Sequence, residues 1–209
     1  MQKLLIFPFN GNGLEALDCI RGQFELIGFV DDTKEKQGKH PEGFEVFGRE
    51  IIIKHQDAKI LAVPGSPASY KIRDTLISEL NIPNERFATL IHPSANVSPL
   101  AKIGHNTLIM AGVVITSNAI IGNHICILPN TVVHHDCSIG DYTLIGSNVT
   151  IAGNTSIGPH CYIGSGTSII NGISIGDNSL IGIGSNVIKT VEAEGKVAGN
   201  PAKKIQTKN

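Results

Sequence analysis

The sequence contains no tryptophan, and aromatic residues make up only 5% of the chain. Charged residues are also few, at 17%, and they nearly balance, since 17 basic and 18 acidic side chains give a formal net charge of −1. The chain therefore lacks the strong positive charge with which proteins bind nucleic acids or anionic membranes. We expect neither of these partners.

Long apolar runs and paired cysteines are missing as well. No apolar run approaches the roughly 18 residues that a spanning helix needs, and no basic start precedes the apolar segment of a secretion signal. The four cysteines stand singly, without CxxC or CxxxC spacing, which argues against a zinc site or a disulfide framework. These absences predict a cytoplasmic protein without a membrane partner.

What the sequence does contain is a six-residue rhythm. Every sixth residue from 91 to 187 is isoleucine or valine, seventeen times without interruption. Helices repeat about every 3.6 residues and strands every 2, so neither explains this period. A short strand and a corner in each hexad are typical of a β-solenoid. The residue two places earlier is mostly small, as a narrow core requires, so Cys137 and Cys161 at such places should be structural.

Glycines divide the hexads into coils of 18 residues, each with three faces. Ile-Gly pairs recur every 18 residues on two faces, one set starting at Ile103 and the other at Ile145. The remaining face, here called the glycine-free face, has no glycine directly after its apolar residue. Its members are Val97, Ile115, Val133, Ile151, Ile169 and Val187.

One corner of the glycine-free face carries a candidate catalytic group. It reads His134-His135-Asp136, where the other coils carry mostly small residues. A neutral imidazole is the natural general base near pH 7, and an adjacent carboxylate can orient it. We therefore predict that His135 and Asp136 are catalytic.

Two other histidines suggest a zinc site of the kind found in solenoid carbonic anhydrases. His124 and His160 are two coils apart and would lie about 9.6 Å from each other on one edge. Zinc ligands lie about 2 Å from the ion, so the two cannot share one. The place where those anhydrases add a third histidine, from a neighbouring subunit, is Ser165 here. We predict no metal.

The chain before residue 88 alternates strand-like and helix-like segments, which predicts a small Rossmann-like parallel sheet. The predicted strands cover residues 3–9, 24–32 and 59–63, and the predicted helices cover 14–23 and 69–81. The second helix should bury Ile72, Leu76, Ile77 and Leu80 on one face. The polar stretch 33–44 should be an exposed loop.

Three loops follow the predicted strands of this sheet. Because the carboxyl ends of parallel strands form the binding edge of such folds, a glycine-rich turn there can approach a phosphate and an acidic residue can contact a ribose. The predicted nucleotide-sugar-binding residues are Asn10, Gly11, Asn12, Gly13, Asp31, Asp32, Gly65 and Ser66.

Several motifs resemble one family over essentially the whole chain. They are GFVDD at 28–32, HPSANVSPLAKIG at 92–104, VVHHDCSIGD at 132–141, GNTSIG at 153–158 and VAGNPAKKI at 197–205. The chain resembles the two-domain hexapeptide-repeat sugar acetyltransferases, which include the bacillosamine-pathway N-acetyltransferase and the sialic acid acetyltransferase-like proteins. The resemblance implies a Rossmann-like nucleotide-sugar-binding domain at 1–88 and a left-handed β-helix acetyltransferase domain with a short C-terminal tail at 89–209.

The resemblance also implies roles for individual residues. His135 would be the base, Asp136 its orienting carboxylate, and the Gly153 amide would polarise the thioester of acetyl-CoA. The family is trimeric, and acetyl-CoA lies in a groove between adjacent subunits. Further acetyl-CoA-binding candidates are Leu144, Ser165, Gly199, Asn200, Pro201, Ala202 and Lys203.

Two positions depart from the family pattern. The first loop reads FPFNGNG and lacks the histidine of the usual GxxGHG. Leu144 stands where the family often has a second histidine that contacts the cofactor, so carbonyl activation would depend more on Gly153.

The expected function is acetyl-CoA-dependent N-acetylation of a nucleotide-linked amino sugar, such as a UDP-4-amino-4,6-dideoxy sugar, by a homotrimer. O-acetylation of a sugar hydroxyl, a GDP-linked substrate and a non-catalytic sugar-nucleotide scaffold remain alternatives. The solenoid acyltransferases of lipid A synthesis are a weaker resemblance, because they end in a substantial helical domain and only about twenty residues follow Val187 here.

Overall fold

The computed structural model describes residues 1–20 and 22–205, and its first part is a mostly parallel sheet. The strands are β1 (Gln2–Phe7), β2 (Phe24–Val30), β3 (Gly38–Lys39), β4 (Glu45–Phe47) and β5 (Lys59–Ala62), in the order β3-β4-β2-β1-β5. Strands β4, β2, β1 and β5 are parallel, and β3 pairs antiparallel with β4 at the edge. This agrees with the predicted Rossmann-like sheet.

Short helices connect these strands. They are α1 (Gly11–Glu15), α2 (Glu50–Lys54) and α3 (Arg73–Ser78), with 3₁₀ turns at Ala16–Cys19, Lys34–Lys36, Tyr70–Ile72 and Asn84–Arg86. The helix predicted over 14–23 is instead α1 followed by a 3₁₀ turn, and Arg21 lies outside the described residues. The stretch 33–44, predicted as a loop, contains a 3₁₀ turn and β3.

The helix predicted over 69–81 is shorter and turned differently from the prediction. It consists of the Tyr70–Ile72 turn and α3, and it exposes 51% of Ile72 while burying Arg73 completely. Arg73 turns inward because backbone carbonyls in the interior accept hydrogen bonds from its guanidinium. The prediction for Ile72 was therefore wrong.

The second part is a parallel β-helix whose strands are two residues long. They are β6 (Leu90–Ile91), β7 (Asn96–Val97), β8 (Lys102–Ile103), β9 (Leu108–Ile109), β10 (Val114–Ile115), β11 (Ile120–Ile121), β12 (Cys126–Ile127), β13 (Val132–Val133), β14 (Ser138–Ile139), β15 (Leu144–Ile145), β16 (Thr150–Ile151), β17 (Ser156–Ile157), β18 (Tyr162–Ile163), β19 (Ser168–Ile169), β20 (Ser174–Ile175), β21 (Leu180–Ile181) and β22 (Asn186–Val187). Except in the end coils, each strand pairs with those 18 residues before and after it, as the glycine spacing predicts.

The solenoid has three faces. The glycine-free face holds β7, β10, β13, β16, β19 and β22, and a second sheet holds β8, β11, β14, β17 and β20. The third sheet, here called the docking face, holds β6, β9, β12, β15, β18 and β21 and continues into the tail strands β23 (Lys196–Ala198) and β24 (Lys203–Lys204).

The solenoid corners follow a regular backbone pattern. Every sixth residue from Asn106 to Gly184 has a positive φ, and most of these residues are asparagine or glycine. Those two residue types adopt this left-handed conformation most easily. The corners therefore have a six-residue sequence repeat of their own, in addition to the isoleucine and valine series.

The interior confirms the predicted core. From Ile109 onward the inward isoleucines are buried, and so are Cys137 and Cys161, at 1% and 0% exposure. Buried threonines at equivalent places donate to backbone carbonyls of neighbouring corners, as from Thr131 Oγ1 to Gly146 O at 2.7 Å and from Thr143 Oγ1 to Gly158 O at 3.0 Å. The hydroxyls of these threonines are thus paired inside the prism.

The sheet domain packs on the docking face and shares a core with it. Outward side chains of this face are apolar, and they pack with the buried residues of β1 and β2. They are Leu90, Leu108, Cys126, Leu144, Tyr162 and Leu180. Among the described residues, no helix is both long and apolar enough to cross a membrane.

Candidate active site

His135 and Asp136 form a hydrogen-bonded pair on an open corner of the solenoid. Nδ1 of His135 lies 2.7 Å from Oδ2 of Asp136, and their side chains are 56% and 43% exposed. Asp136 also accepts a hydrogen bond from Asn118 Nδ2 at 3.0 Å. These two hydrogen bonds lower the pKa of the Asp136 carboxyl. An ionised Asp136 keeps the proton of a neutral imidazole on Nδ1 and leaves Nε2 able to accept another.

The corner backbone explains how this pair is oriented. Asp136 has φ +59°, at the place where the neighbouring coils carry Asn118 and Asn154, both left-handed as well. Its backbone N–H donates to Ser117 O at 3.0 Å, and Asn154 N donates to His135 O at the same distance. The coils below and above therefore hold the peptide group between His135 and Asp136 from both sides.

Gly153 lies directly against the His135 ring. A Cβ atom placed on Gly153 would lie 2.6 Å from Nε2 and 2.7 Å from Cε1 of His135. Any side chain here would displace the imidazole. The structure thus brings together three of the predicted site residues, His135, Asp136 and Gly153.

The predicted nucleotide-binding loops also lie together, at the carboxyl ends of β1, β2 and β5. Asn10 accepts from Gly13 N at 2.8 Å and donates to Val63 O at 3.3 Å, which joins the first loop to the third. Asp31 accepts from Phe9 N at 3.2 Å and joins the first loop to the second. The predicted convergence of these loops is therefore present.

The two aspartates after β2 have different surroundings. Asp31 is 3% exposed and accepts from Thr33 N at 2.9 Å and from Lys36 Nζ at 3.0 Å. Burial alone would raise the pKa of Asp31, but the hydrogen bonds from Thr33 and Lys36 outweigh it and hold that pKa below its ordinary value. Asp32 is exposed and forms two 2.7 Å hydrogen bonds with Arg49. Asp31 thus organises the loop, and Asp32 reaches toward α2.

A pocket of about 250 Å³ lies between the loops and the docking face. Its walls include Asn12, Gly65 and Ser66 from the loops and Leu144 and Tyr162 from the solenoid. The structure therefore brings the predicted acetyl-CoA contact Leu144 together with predicted nucleotide contacts, and away from His135. Leu144 is on the docking face, whereas His135 is at the corner that follows the glycine-free face.

The remaining acetyl-CoA candidates lie at two other places. Ser165 is on the edge between the docking and glycine-free faces, where its Oγ accepts from Ser147 N at 3.1 Å. The segment Gly199, Asn200, Pro201, Ala202 and Lys203 folds over the last coil, with Ala202 N donating to Asn186 O at 2.8 Å. Gly199 has φ +101° and makes the turn between β23 and β24.

The histidines considered for zinc lie on the edge between the docking face and the five-stranded face, here called the docking edge. The Tyr142 ring lies between them, with its centroid 4.6 Å from that of His124 and 5.0 Å from that of His160. The two imidazoles therefore cannot share an ion. Within residues 1–20 and 22–205, no group of three or more acidic, histidine or cysteine side chains could hold a metal.

His124 is a structural histidine. It is 5% exposed, with Nδ1 2.9 Å from Asn106 Nδ2 and Nε2 3.2 Å from His105 Nε2. Burial, followed by the nearby His105 and Arg73, lowers the pKa of His124 to about 4. It is therefore neutral at pH 7 and enclosed.

Sequence reasoning missed the residues that join the two parts of the molecule. Arg73 and Asn106 are fully buried and bond backbone groups across the domain interface. One signal was available, because the docking face is the only face on which the outward residue is apolar in every coil. These residues mark the covered side of the prism, and they show that Cys126, which points away from the prism axis, is buried rather than accessible.

Comparison with known proteins agrees with this architecture. The bacterial transferase hexapeptide family (six repeats) matches residues 100–135 and 118–153, and the hexapeptide repeat of succinyl-transferase matches residues 154–188. The acetyltransferase domain of PglB from Neisseria gonorrhoeae FA1090 is 26% identical, with a TM-score of 0.86, over 98% of this chain and 100% of that one. The solenoid therefore consists of bacterial transferase hexapeptide repeats, and the whole chain shares its fold with that acetyltransferase domain.

Two further structures share the fold of this acetyltransferase along the whole chain. PerB from Caulobacter crescentus, solved with CoA and GDP-perosamine, is 23% identical with a TM-score of 0.85, over 99% of this chain and 98% of that one. WeeI from Acinetobacter baumannii AYE is 24% identical with a TM-score of 0.83, over 98% and 100%. A search of curated proteins finds no match. The predicted family, fold and acyltransferase class are thus confirmed.

Proposed function

We propose that this acetyltransferase transfers the acetyl group of acetyl-CoA to the amine of a nucleotide-linked amino sugar, such as a UDP-4-amino-4,6-dideoxy sugar. The observation that carries the proposal is the His135–Asp136 pair, whose free Nε2 lies against Gly153. The PglB acetyltransferase domain was solved with acetyl coenzyme A, and PerB with CoA and a GDP-linked amino sugar, which supports both substrate classes.

In the proposed reaction His135 is the general base. Nε2 accepts a proton from the amine as its nitrogen attacks the thioester carbonyl carbon. The Gly153 N–H makes no hydrogen bond within the described residues and is free to donate to the oxyanion. Collapse breaks the carbon–sulfur bond, and the CoA thiolate takes the proton from the imidazolium. No covalent acyl-enzyme and no metal take part.

The proposal includes a homotrimer in which two subunits complete one site. The pocket beside Asn12 and Ser66 is lined by no histidine or carboxylate, and His135 is on a different edge of the same chain. The base of one subunit would therefore face the sugar pocket of its neighbour. The tail from Gly199 to Lys203 would contact the distal part of acetyl-CoA.

A substrate panel tests the reaction itself. UDP- and GDP-linked 3-amino and 4-amino sugars are incubated with acetyl-CoA, and thiol release is followed together with the mass of the product. Release with one of these sugars and a gain of one acetyl group on its amine would support the proposal. Release only with hydroxyl analogues would replace it with O-acetylation. Acetyl-CoA binding by calorimetry without any turnover would indicate a scaffold.

Complementation between subunits tests the shared site. His135→Ala removes the base, and Ser66→Trp fills the pocket from its exposed side, so each variant alone should be inactive. When the two are co-expressed, mixed trimers contain sites with an intact base from one subunit and an intact pocket from another. Partial recovery of activity supports the shared site, and no recovery from verified mixed trimers would contradict it.

A further inference from the structure

Two buried polar side chains, Arg73 and Asn106, join the sheet domain to the docking edge of the solenoid. We infer that they are positioning residues, which fix the loop at 63–66 against the solenoid and so set where a nucleotide sugar held by that loop lies relative to the acetyl group. This inference rests on the proposed function.

Arg73 bonds three carbonyls from three segments. Its Nε donates to Tyr142 O at 2.9 Å, Nη2 donates to His124 O at 2.6 Å, and Nη1 donates to Pro64 O. Two of these carbonyls belong to consecutive coils, and the third is in the loop. Burial lowers the pKa of Arg73 to about 10, so the side chain stays charged at pH 7 and depends on these acceptors in place of water.

Asn106 holds the strand that leads into the same loop. Its Oδ1 accepts from Ala62 N at 2.7 Å and its Nδ2 donates to Ala62 O at 2.8 Å. Ala62 is the last residue of β5, directly before the loop at 63–66. The solenoid corner therefore pairs with the end of β5 as another strand would, and it does so from a left-handed residue with φ +50°.

Once these bonds are made, the loop at 63–66 is packed closely against its neighbours. A Cβ atom on Gly65 would lie 3.0 Å from Leu144 Cδ1 and 3.1 Å from Arg73 Cδ. Gly65 and Leu144 both line the pocket of about 250 Å³. A shift of the loop would therefore change the pocket directly, and a misplacement of about 1 Å can slow a transfer reaction about a hundredfold.

The chain contains a matched control, Arg86. Its guanidinium also bonds several carbonyls, with Nε donating to Ala58 O at 3.1 Å and Nη2 donating to His55 O at 2.8 Å. All of its acceptors lie within the sheet domain, so Arg86→Lys perturbs the same kind of bonding without touching the interface. Burial lowers the pKa of both arginines.

The experiment compares Arg73→Lys, Asn106→Gly and Arg86→Lys in the full-length protein. Asn106→Gly keeps the left-handed corner, removes both bonds to Ala62, and serves if Arg73→Lys folds poorly. We expect kcat/KM for the nucleotide sugar to fall about tenfold or more in the two interface variants, with KM for acetyl-CoA within about twofold of wild type. Arg86→Lys should lower the melting temperature without this selective loss.

Amide hydrogen exchange over residues 63–69 provides a readout that does not need turnover. Faster exchange there in Arg73→Lys and Asn106→Gly than in Arg86→Lys supports the inference, even if the wild-type protein acetylates no nucleotide sugar and the proposed function fails. If the interface variants lose only thermal stability, with sugar kinetics and loop exchange matching Arg86→Lys, the two residues are structural and the inference is wrong.

Discussion

Two histidines at corners of the same solenoid have opposite surroundings. His135 is largely exposed, and a carboxylate faces its Nδ1. His124, on the docking edge, is 5% exposed and faces an amide and another imidazole. The repeat gives both residues a corner position, and the difference comes from what covers each edge. On this scaffold, a sheet domain packed over one edge turns a histidine into a structural residue, and the open edge leaves one available for chemistry.

His135→Ala should have the largest effect on activity. Removing the base should lower kcat about 10²–10⁴-fold, because proton transfer from the amine then depends on water. The melting temperature should be unchanged, because the side chain is exposed. Steady-state kinetics and thermal unfolding on the same sample measure both, and a loss of activity below about threefold would remove His135 from the proposed role.

Gly153→Ala should have the next largest effect. The new methyl group would push the imidazole away from Asp136 and should lower kcat about 10–100-fold, since misplacement of a reacting group by about 1 Å has effects of this size. A double-mutant cycle provides the control. In a His135→Ala background there is no ring to displace, so adding Gly153→Ala should change kcat no further. A full additional loss would mean that the methyl group acts on the cofactor instead.

His124→Asn should affect stability rather than the base. Asparagine keeps the left-handed corner, but the stacking on Tyr142 and the ring hydrogen bonds are lost, which should lower the free energy of unfolding by about 2 kcal/mol. Chemical denaturation measures this change.

The same variant should also flatten the dependence of stability on pH. The pKa of His124 is about 4 in the folded state against 6.5 for a free imidazole, so the unfolded chain binds more protons between these values. The stability that this group contributes is complete above pH 6.5 and is lost as the pH falls toward 4, by an amount on the order of 3 kcal/mol. If wild type and His124→Asn lose stability in parallel over this window, other groups are responsible.

His134→Ala should have the smallest effect. The residue is next to His135 in sequence. Its backbone N–H donates to Ile151 O of the next coil at 3.0 Å, a bond that substitution of the side chain does not remove. Its side chain is only partly buried. We expect a change in kcat below about threefold and a change in unfolding free energy within about 0.5 kcal/mol. A loss comparable to that of His135→Ala would show that the wrong imidazole has been assigned.

The solenoid could be predicted because its rules are local and repeated. Each coil needs an inward aliphatic residue and a small one at fixed spacing, so an exception such as His135 stands out. Gly153, which the family resemblance assigns to the same site, lies one coil of 18 residues after it. The fixed spacing therefore shows from the sequence alone which residues are neighbours in adjacent coils.

The domain interface could not be predicted by the same means. Helical periodicity places an arginine on the outer face of a helix, and the acceptors that reverse this for Arg73 are 51 and 69 residues away. Asn106 resembles every other corner asparagine, and nothing local separates it from Asn118 or Asn130. The bonds of Arg73 and Asn106 depend on how the two domains pack together, and the sequence pattern within either domain does not contain this information.

Because each coil has 18 residues, the length of an insertion or deletion decides whether all later strands keep their faces of the prism. Removing one hexad after the corner at His134–Asp136 would move every later strand to the next face of the prism. The Asn178 carbonyl, which accepts from Tyr70 Oη at 3.1 Å, would then leave the docking edge. Removing a whole coil would shorten the prism and leave each later residue on its own face. We therefore expect this solenoid to tolerate insertions and deletions of three hexads, or multiples of three, because only these keep every later residue on its face.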